Sequence, residues 1–310
     1  MSKISVVICT WNPNKELLDM VLNSLQKQTL SQQQWELIII DNKSEIEISS
    51  WLDLSWHRDS HIHREEQQGL IYARIKGTHE AKYDLLVSVD DDTLLADNYL
   101  DNVQKIYNKF PHLGNIGGRS IPIFESRPPF WIKEFYAILA IRDLGEYPII
   151  ERLKNKNDLF YYPSSAPLLI APRKKCMLNY IDFFNNNNYS KYLGRKGNSL
   201  SSGEDNDINL FLFKSGFSLG YFPELIFYHI IPEKRTTVNY LARLVFSSSM
   251  SWVKVLENYH INPWKKIPKW TVPLRILKAW FSHKAWRSEV EYIKWKGACG
   301  TFQGLSEIEQ

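Results

Sequence analysis

The feature that most constrains this chain of 310 residues is a repeated pairing of a short apolar run with polar residues at its end. Ile4 to Cys9 runs into Thr10-Trp11-Asn12, Leu37 to Ile40 into Asp41-Asn42, and Leu85 to Val89 into Asp90-Asp91-Asp92. Runs this short and continuously apolar read as strands buried on both faces, as in a parallel sheet covered by helices. Leu17, Leu18, Val21, Leu22 and Leu25 recur at helical spacing after the first run. Strand, helix, strand, helix, strand implies an α/β fold with a Rossmann-like layer. Ligands of such layers sit beyond the carboxyl ends of the strands, so the polar residues closing each run mark the expected site.

Composition narrows the class. At 44% apolar and 23% charged the chain can bury a sizeable core, which excludes disorder, collagen and coiled coil. No apolar run approaches 18 residues, and the stretch from Met1 to Asn12 is too short for a secretory leader, so a cytoplasmic location is expected. Cys9, Cys176 and Cys299 are odd in number and far apart, which argues against a disulfide framework or a cysteine zinc site. The net charge of +4 is unevenly spread. Between Lys234 and Lys296 thirteen Lys and Arg face three acids, while residues 1–233 are net acidic.

The middle of the chain is heavily punctuated by Gly114 to Arg119, Pro122, Pro128-Pro129 and Pro163-Ser164-Ser165. Asn185 to Ser202 reads as a long loop. A helix over Asp205 to Lys214 follows, then a strand near Phe217 to Phe222.

Three adjacent acids after a buried strand repel one another and need solvent or a cation to screen them. Mg2+ or Mn2+, held by one or two carboxylates plus substrate phosphates, suits that arrangement. The competing reading is an acidic helix N-terminus. Likewise Glu204 and Asp205 could cap the helix that follows them, and His229 could be a satisfied histidine at a strand end.

Taken in order, Thr10-Trp11-Asn12, Asp41-Asn42-Lys43-Ser44, Gly69 to Arg74, Asp90-Asp91-Asp92, Gly203-Glu204-Asp205, and then Pro223 and His229 resemble the motifs of family 2 glycosyltransferases over roughly residues 4–232. The resemblance implies a GT-A fold, a mixed sheet flanked by helices, and inverting transfer from a nucleotide-diphosphate sugar, most simply a UDP-sugar. It further implies that Thr10 and Asn12 border the nucleotide and that Asp41 accepts a hydrogen bond from the base. Arg74 would lie near the diphosphate or the Asp triplet. Asp90 and Asp92 would form the D-x-D metal motif beside Asp91, with Asp92 the direct ligand, and His229 would complete the Mn2+ or Mg2+ sphere. Asp205, in the pair with Glu204, would act as base. Residues 1–232 would then be the catalytic domain, with a nucleotide-sugar half to about 120 and an acceptor half beyond it. Residues 233–310 would form a helical extension.

That extension is basic and holds six of the eleven tryptophans. Within Pro273 to Arg287, Leu274, Leu277, Phe281 and Ala285 fall along one stripe, with Arg275, Lys278, Lys284 and Arg287 elsewhere. Such a helix suits a membrane interface or packing on the catalytic domain. Nucleic acid is disfavoured by the acidic body. A membrane partner would point to a glycan or lipid-linked acceptor in surface polysaccharide synthesis at the inner face of the membrane; a homo-oligomer is the other use of such a surface. A non-catalytic nucleotide-sugar-binding protein is the alternative. A nucleotidyltransferase is less favoured, because Thr10 to Pro13 has no phosphate-binding glycine.

Overall fold

The computed structural model describes residues 2–155, 161–167, 171–186 and 203–308. Strands β1 (Ile4–Thr10), β2 (Trp35–Asp41), β3 (Ser60–Arg64) and β4 (Leu85–Val89) form a parallel sheet in the order β3-β2-β1-β4. Alternate side chains enter two different cores. Ile4, Val6 and Ile8 pack on one face with α1 (Lys15–Gln26) and α3 (Tyr99–Lys109). Val7 and Cys9 pack on the other with α2 (Leu70–Glu80), α4 (Lys174–Asn186) and α5 (Glu204–Lys214). Two-sided burial explains why the runs are apolar on both faces apart from the small Ser5 and Ser88, each large side chain contributing about 1.5–3 kcal/mol. The half-buried edge strand β3, Ser-His-Ile-His-Arg, lacks that signal and is not legible as a strand.

A second sheet completes the layer. Its strands are β5 (Thr93–Leu95), β6 (Leu113–Phe124), β7 (Ile149–Glu151), β8 (Ala171–Pro172) and β9 (Ser218–Ile231), ordered β5-β9-β6-β8 with β7 also on β9. The glycine-rich stretch from Gly114, which reads as punctuation, lies inside β6. Gly118 sits there because β9 presses against it: a Cβ would come within 2.1 Å of the Leu225 carbonyl oxygen. The strand expected near Phe217 to Phe222 continues to Ile231 and carries His229. Antiparallel pairing of β5 with β9 sets Thr93 opposite His229, and Ile230 N–H donates to the Asp92 carbonyl at 2.9 Å. This pairing delivers the histidine to the acidic triplet.

The basic segment folds as α6 (Val238–Asn258), α7 (Val272–Ser282) and α8 (Glu289–Glu307). Leu241, Leu244, Val290 and Ile293 share a core with Trp131, Phe135 and Ile231, so α6 and α8 rest directly on the second sheet and the segment that follows β6. The expected helix over Pro273 to Arg287 stops at Ser282, and Lys284 adopts a left-handed φ of 51° that ends the turn. Ala285 leaves the stripe and is buried. Among the described residues no helix is long and apolar enough to cross a membrane. Most of the loop expected over Asn185 to Ser202 lies outside the described residues; Asn185 and Asn186 end α4.

Gly297, Gly300 and Gly304 allow α8 to approach α6 closely, and a Cβ on Gly300 would lie 2.1 Å from the Phe246 carbonyl oxygen. Backbone cannot yield as a side-chain tip does. Gly300→Val is therefore expected to destabilise the protein by about 1–3 kcal/mol. Urea denaturation gives the number, and an unchanged midpoint would rule out the close helix contact.

Candidate active site

A cavity of about 710 Å3 opens at the carboxyl ends of β1 and β4, where the order of the parallel sheet changes direction. Thr10 ends β1 and Trp11 follows it, Asp90 to Asp92 follow β4, and Arg74 projects from α2. Gly203 to Asn206 bring in the start of α5, and His229 enters from β9. Ser248, Ser249 and Trp252 of α6 line the same cavity, so the C-terminal helices contribute to its wall.

Arg74 organises one side. It is only 7% exposed and donates through one nitrogen to Glu204 Oε1 and to Asp205 Oδ1, each at 2.6 Å. The two acids occupy the first turn of α5, where the helix dipole favours them. Their side chains nevertheless turn to Arg74, and Gly203 at the cap position supplies no capping side chain. Burial pushes the Glu204 carboxyl up to about 7, with Arg74 opposing and the Asp205 charge adding to the rise. The Arg74 guanidinium, flanked by Asp205 and Glu204, is held well above its ordinary range despite burial. Asp205 differs from its neighbour in being 43% exposed to the cavity. Two adjacent carboxylates thus have different environments, one fixed and buried and the other reachable.

The opposite cluster centres on Asp92. Its Oδ2 lies 3.4 Å from His229 Nε2 and 2.9 Å from a guanidinium nitrogen of Arg235, which is itself 3.2 Å from His229 Nε2. A hydrogen bond from arginine requires that imidazole nitrogen to accept. Arg235 therefore stands beside both predicted metal ligands and was not singled out in the sequence. It belongs to the basic stretch, and only the 3-10 turn Glu233–Thr236 after Pro232 brings it to the cavity. Asp92 and His229 bring a hard oxygen and an imidazole nitrogen within 3.4 Å of each other, and the Arg235 guanidinium nitrogen that touches both takes the place a divalent cation would need, so Arg235 would have to turn aside for Mn2+ or Mg2+ to bind there. Asp90 does not join them as a third close ligand; among the described residues the one such trio is Glu36, Asp59 and His61, into which the Lys82 ammonium reaches, 2.5 Å from Asp59. A two-ligand site fits a cation that takes its other ligands from diphosphate and water. Arg74 Nε, Glu204 Oε2, His229 Nδ1 and Arg235 Nε are buried without hydrogen-bond partners, and all four residues line this cavity. Buried polar atoms are normally satisfied, so the concentration of exceptions here marks a site that a polar ligand completes.

The remaining predicted residues divide by position. Thr10 donates its hydroxyl to Asp91 Oδ2, and burial still pushes the Asp91 carboxyl up to about 7, helped by the charges of Asp92 and Asp90. Burial likewise raises Asp90, against the attraction of Arg74. Asn12, with φ 47°, accepts from Glu45 N–H at 2.8 Å and donates its own N–H to Ser44 Oγ. Asp41 is buried and accepts from Ser44 N–H, Ile48 N–H and Arg64, the last at 2.8 Å. Neither Asn12 nor Asp41 lines the cavity, whereas Asn42 does and ties Gly69 N–H at 2.8 Å, fixing the approach to α2. Tyr162 and Trp252 form an aromatic wall at 5.2 Å between ring centres. Cys9 also lines the cavity, but burial pushes its thiol up to about 12, which leaves it inert as a nucleophile.

Residues 5–175 match Glycosyl transferase family 2, and the chain belongs to that family. It is 26% identical over 157 residues to a glucosyl-dolichyl phosphate glucuronosyltransferase of Haloferax volcanii, covering 49% of this chain and 50% of that protein. The chain thus spans about half the length of the curated relative it matches. Among solved structures it resembles S. aureus TarS 1-349, with a TM-score of 0.53 at 12% identity over 98% of this chain and 90% of that one. The TarS complex with UDP-GlcNAc aligns with a TM-score of 0.55 at 12% identity over the same shares. The mixed sheet flanked by helices is the GT-A fold, and a helical C-terminal region follows it.

Proposed function

We propose that the chain is an inverting glycosyltransferase that moves a sugar from a nucleotide-diphosphate donor, a UDP-sugar, to a hydroxyl of a glycan or lipid-linked acceptor. The observation that carries this reading is the reachable Asp205, steadied by Arg74 beside the buried Glu204, in the same cavity as Asp92, His229 and Arg235. Arg74 takes Oδ1 of Asp205, leaving Oδ2 to accept the proton of an acceptor hydroxyl. The acceptor oxygen forms its bond to the anomeric carbon while the bond from that carbon to the diphosphate oxygen breaks. The electron pair departs with the nucleoside diphosphate. Direct displacement needs no enzyme nucleophile, in keeping with an unreactive Cys9.

Asp92 and His229 would hold Mn2+ or Mg2+, with Asp90 standing behind them rather than closing on the ion, and the cation when bound would neutralise charge on a leaving diphosphate. Arg235, turned aside, would supply a second positive charge next to it. Thr10, Asn12, Asp41 and Asp91 shape the nucleotide side, with Trp11 and Asn42 forming its surface. The names of the two similar proteins, one a glucuronosyltransferase and one seen with UDP-GlcNAc, support a nucleotide-sugar donor.

Excess EDTA is expected to reduce transfer to background, and added Mn2+ to restore it, as read by release of nucleoside diphosphate. Full activity in EDTA would remove the metal role of Asp92 and His229 and leave Arg235 to carry the charge. A thermal-shift screen of nucleotide-sugars tests the donor class; no stabilisation by any of them would overturn the reading.

A further inference from the structure

Helix α7 has two apolar faces. Val272, Ile276, Ala279 and Trp280 turn inward, where Trp280 meets Trp295 edge-on at 4.7 Å and Trp295 Nε1–H donates to the Ile276 carbonyl at 3.1 Å. Val272 and Ala279 are buried, and this face anchors the helix to α8. Leu274, Leu277 and Phe281 recur at the spacing of one helix face and lie on the opposite side. They are 57–62% exposed, with Trp270 before the helix and Trp286 after it at 74% and 56%. Trp286 leans on Phe281, their ring centres 5.8 Å apart. Packing on α8 and the end of α6 accounts for the inner face and leaves this outer stripe in water. A contiguous exposed patch of large apolar side chains on a folded protein marks an interaction site.

The charges around the stripe select its partner. From residue 258 to 288 the chain contains seven Lys and Arg and no Asp or Glu. Lys265, Lys266, Lys269, Arg275, Lys278, Lys284 and Arg287 are all exposed, and among the described residues none of them makes a salt bridge. An outward apolar stripe bounded by tryptophans, in a segment whose own charges are all positive, matches a surface that is anionic at the headgroups and apolar beneath them. We infer that α7 and its flanking tryptophans dock the protein on an anionic lipid surface, with Leu274, Leu277 and Phe281 entering the headgroup boundary. This docking needs neither donor nor metal, so it stands apart from the catalytic reading.

The test is flotation of the full chain with vesicles of phosphatidylcholine alone and of phosphatidylcholine with about one-third phosphatidylglycerol, since basic amphipathic helices gain affinity from anionic lipid. Binding to the anionic vesicles only, weakened by salt, is expected. Leu277→Glu/Phe281→Glu should reduce that binding by about tenfold or more, and Lys278→Glu/Arg275→Glu should reduce it comparably. Both pairs change exposed side chains, so melting temperature and nucleotide-induced stabilisation should remain those of the unaltered chain. Absence of binding by the unaltered protein, equal binding to neutral vesicles, or full binding by the Leu277→Glu/Phe281→Glu variant overturns the proposal. So does a dimer in solution that the same variant converts to monomer without any vesicle binding by the parent, since the stripe would then belong to a second copy of this chain.

Discussion

Asp205→Asn is expected to lower turnover by about 10²–10⁴-fold, the range that a positioned general base supplies. An asparagine carbonyl oxygen can still accept from Arg74 in place of Oδ1, so the N-terminus of α5 should keep its position. Nucleotide affinity should therefore stay within about twofold, because the substituted group faces the acceptor. Single-turnover kinetics combined with calorimetric titration of nucleoside diphosphate separates the two effects. A variant that turns over at the original rate would refute the assignment of the base. One that loses nucleotide binding to the same degree would move Asp205 to the donor side.

The second large effect concerns Arg74. Its guanidinium is the cation for Glu204, which is only 7% exposed and retains one oxygen without a hydrogen bond. Arg74→Met should destabilise the protein by about 3–5 kcal/mol, the usual result of stripping one partner from a buried pair. Burial already holds the Glu204 carboxyl at about 7, above its unfolded value, with Arg74 pulling the other way. Losing Arg74 raises it further. A carboxyl with a raised native pKa favours the folded state when protonated, and that contribution is lost as pH rises through the native value. The loss of stability in Arg74→Met should accordingly be smaller near pH 5 than near pH 8. The double variant Arg74→Met/Glu204→Gln should recover much of it at the higher pH. Denaturation midpoints at both pH values provide the check, and a pH-independent loss would show that Arg74 acts through packing alone.

The two halves of this site were unequally visible in the sequence. Asp90 to Asp92 and Glu204-Asp205 could be singled out because each combines an unusual local charge with a structural boundary, one at a strand end and one at a helix start. The sequence could not decide between capping and catalysis for Glu204, since both place acids in the same turn. The guanidinium of Arg74, distant in the chain, is what turns both side chains away from the helix cap and toward the cavity. Asp41 illustrates the reverse. Its turn resembles a nucleotide contact, yet Ser44, Ile48 and Arg64 occupy its oxygens, and the neighbouring Asn42 reaches the cavity. Arg235 carried no local signal. It is one cation among many in a basic segment until the turn after Pro232 folds it against Asp92 and His229.

The C-terminal segment shows the same division. Its periodicity gave an amphipathic helix and its composition a basic surface, but helical spacing places residues on faces without saying which face is covered. Both faces of α7 carry apolar side chains, and only the contact of Trp280 and Trp295 decides that Leu274, Leu277 and Phe281 remain outside.

What the sequence by itself determined is the parallel sheet, because two-sided burial imposes continuous apolar runs, and the location of the acids, because the runs must end where ligands bind. What only the tertiary structure decided is which charges meet. Arg74 with Glu204 and Asp205, and Arg235 with Asp92 and His229, are pairings across elements far apart in the chain. Electrostatic partnership depends on distance in space, and no periodicity along the chain encodes it.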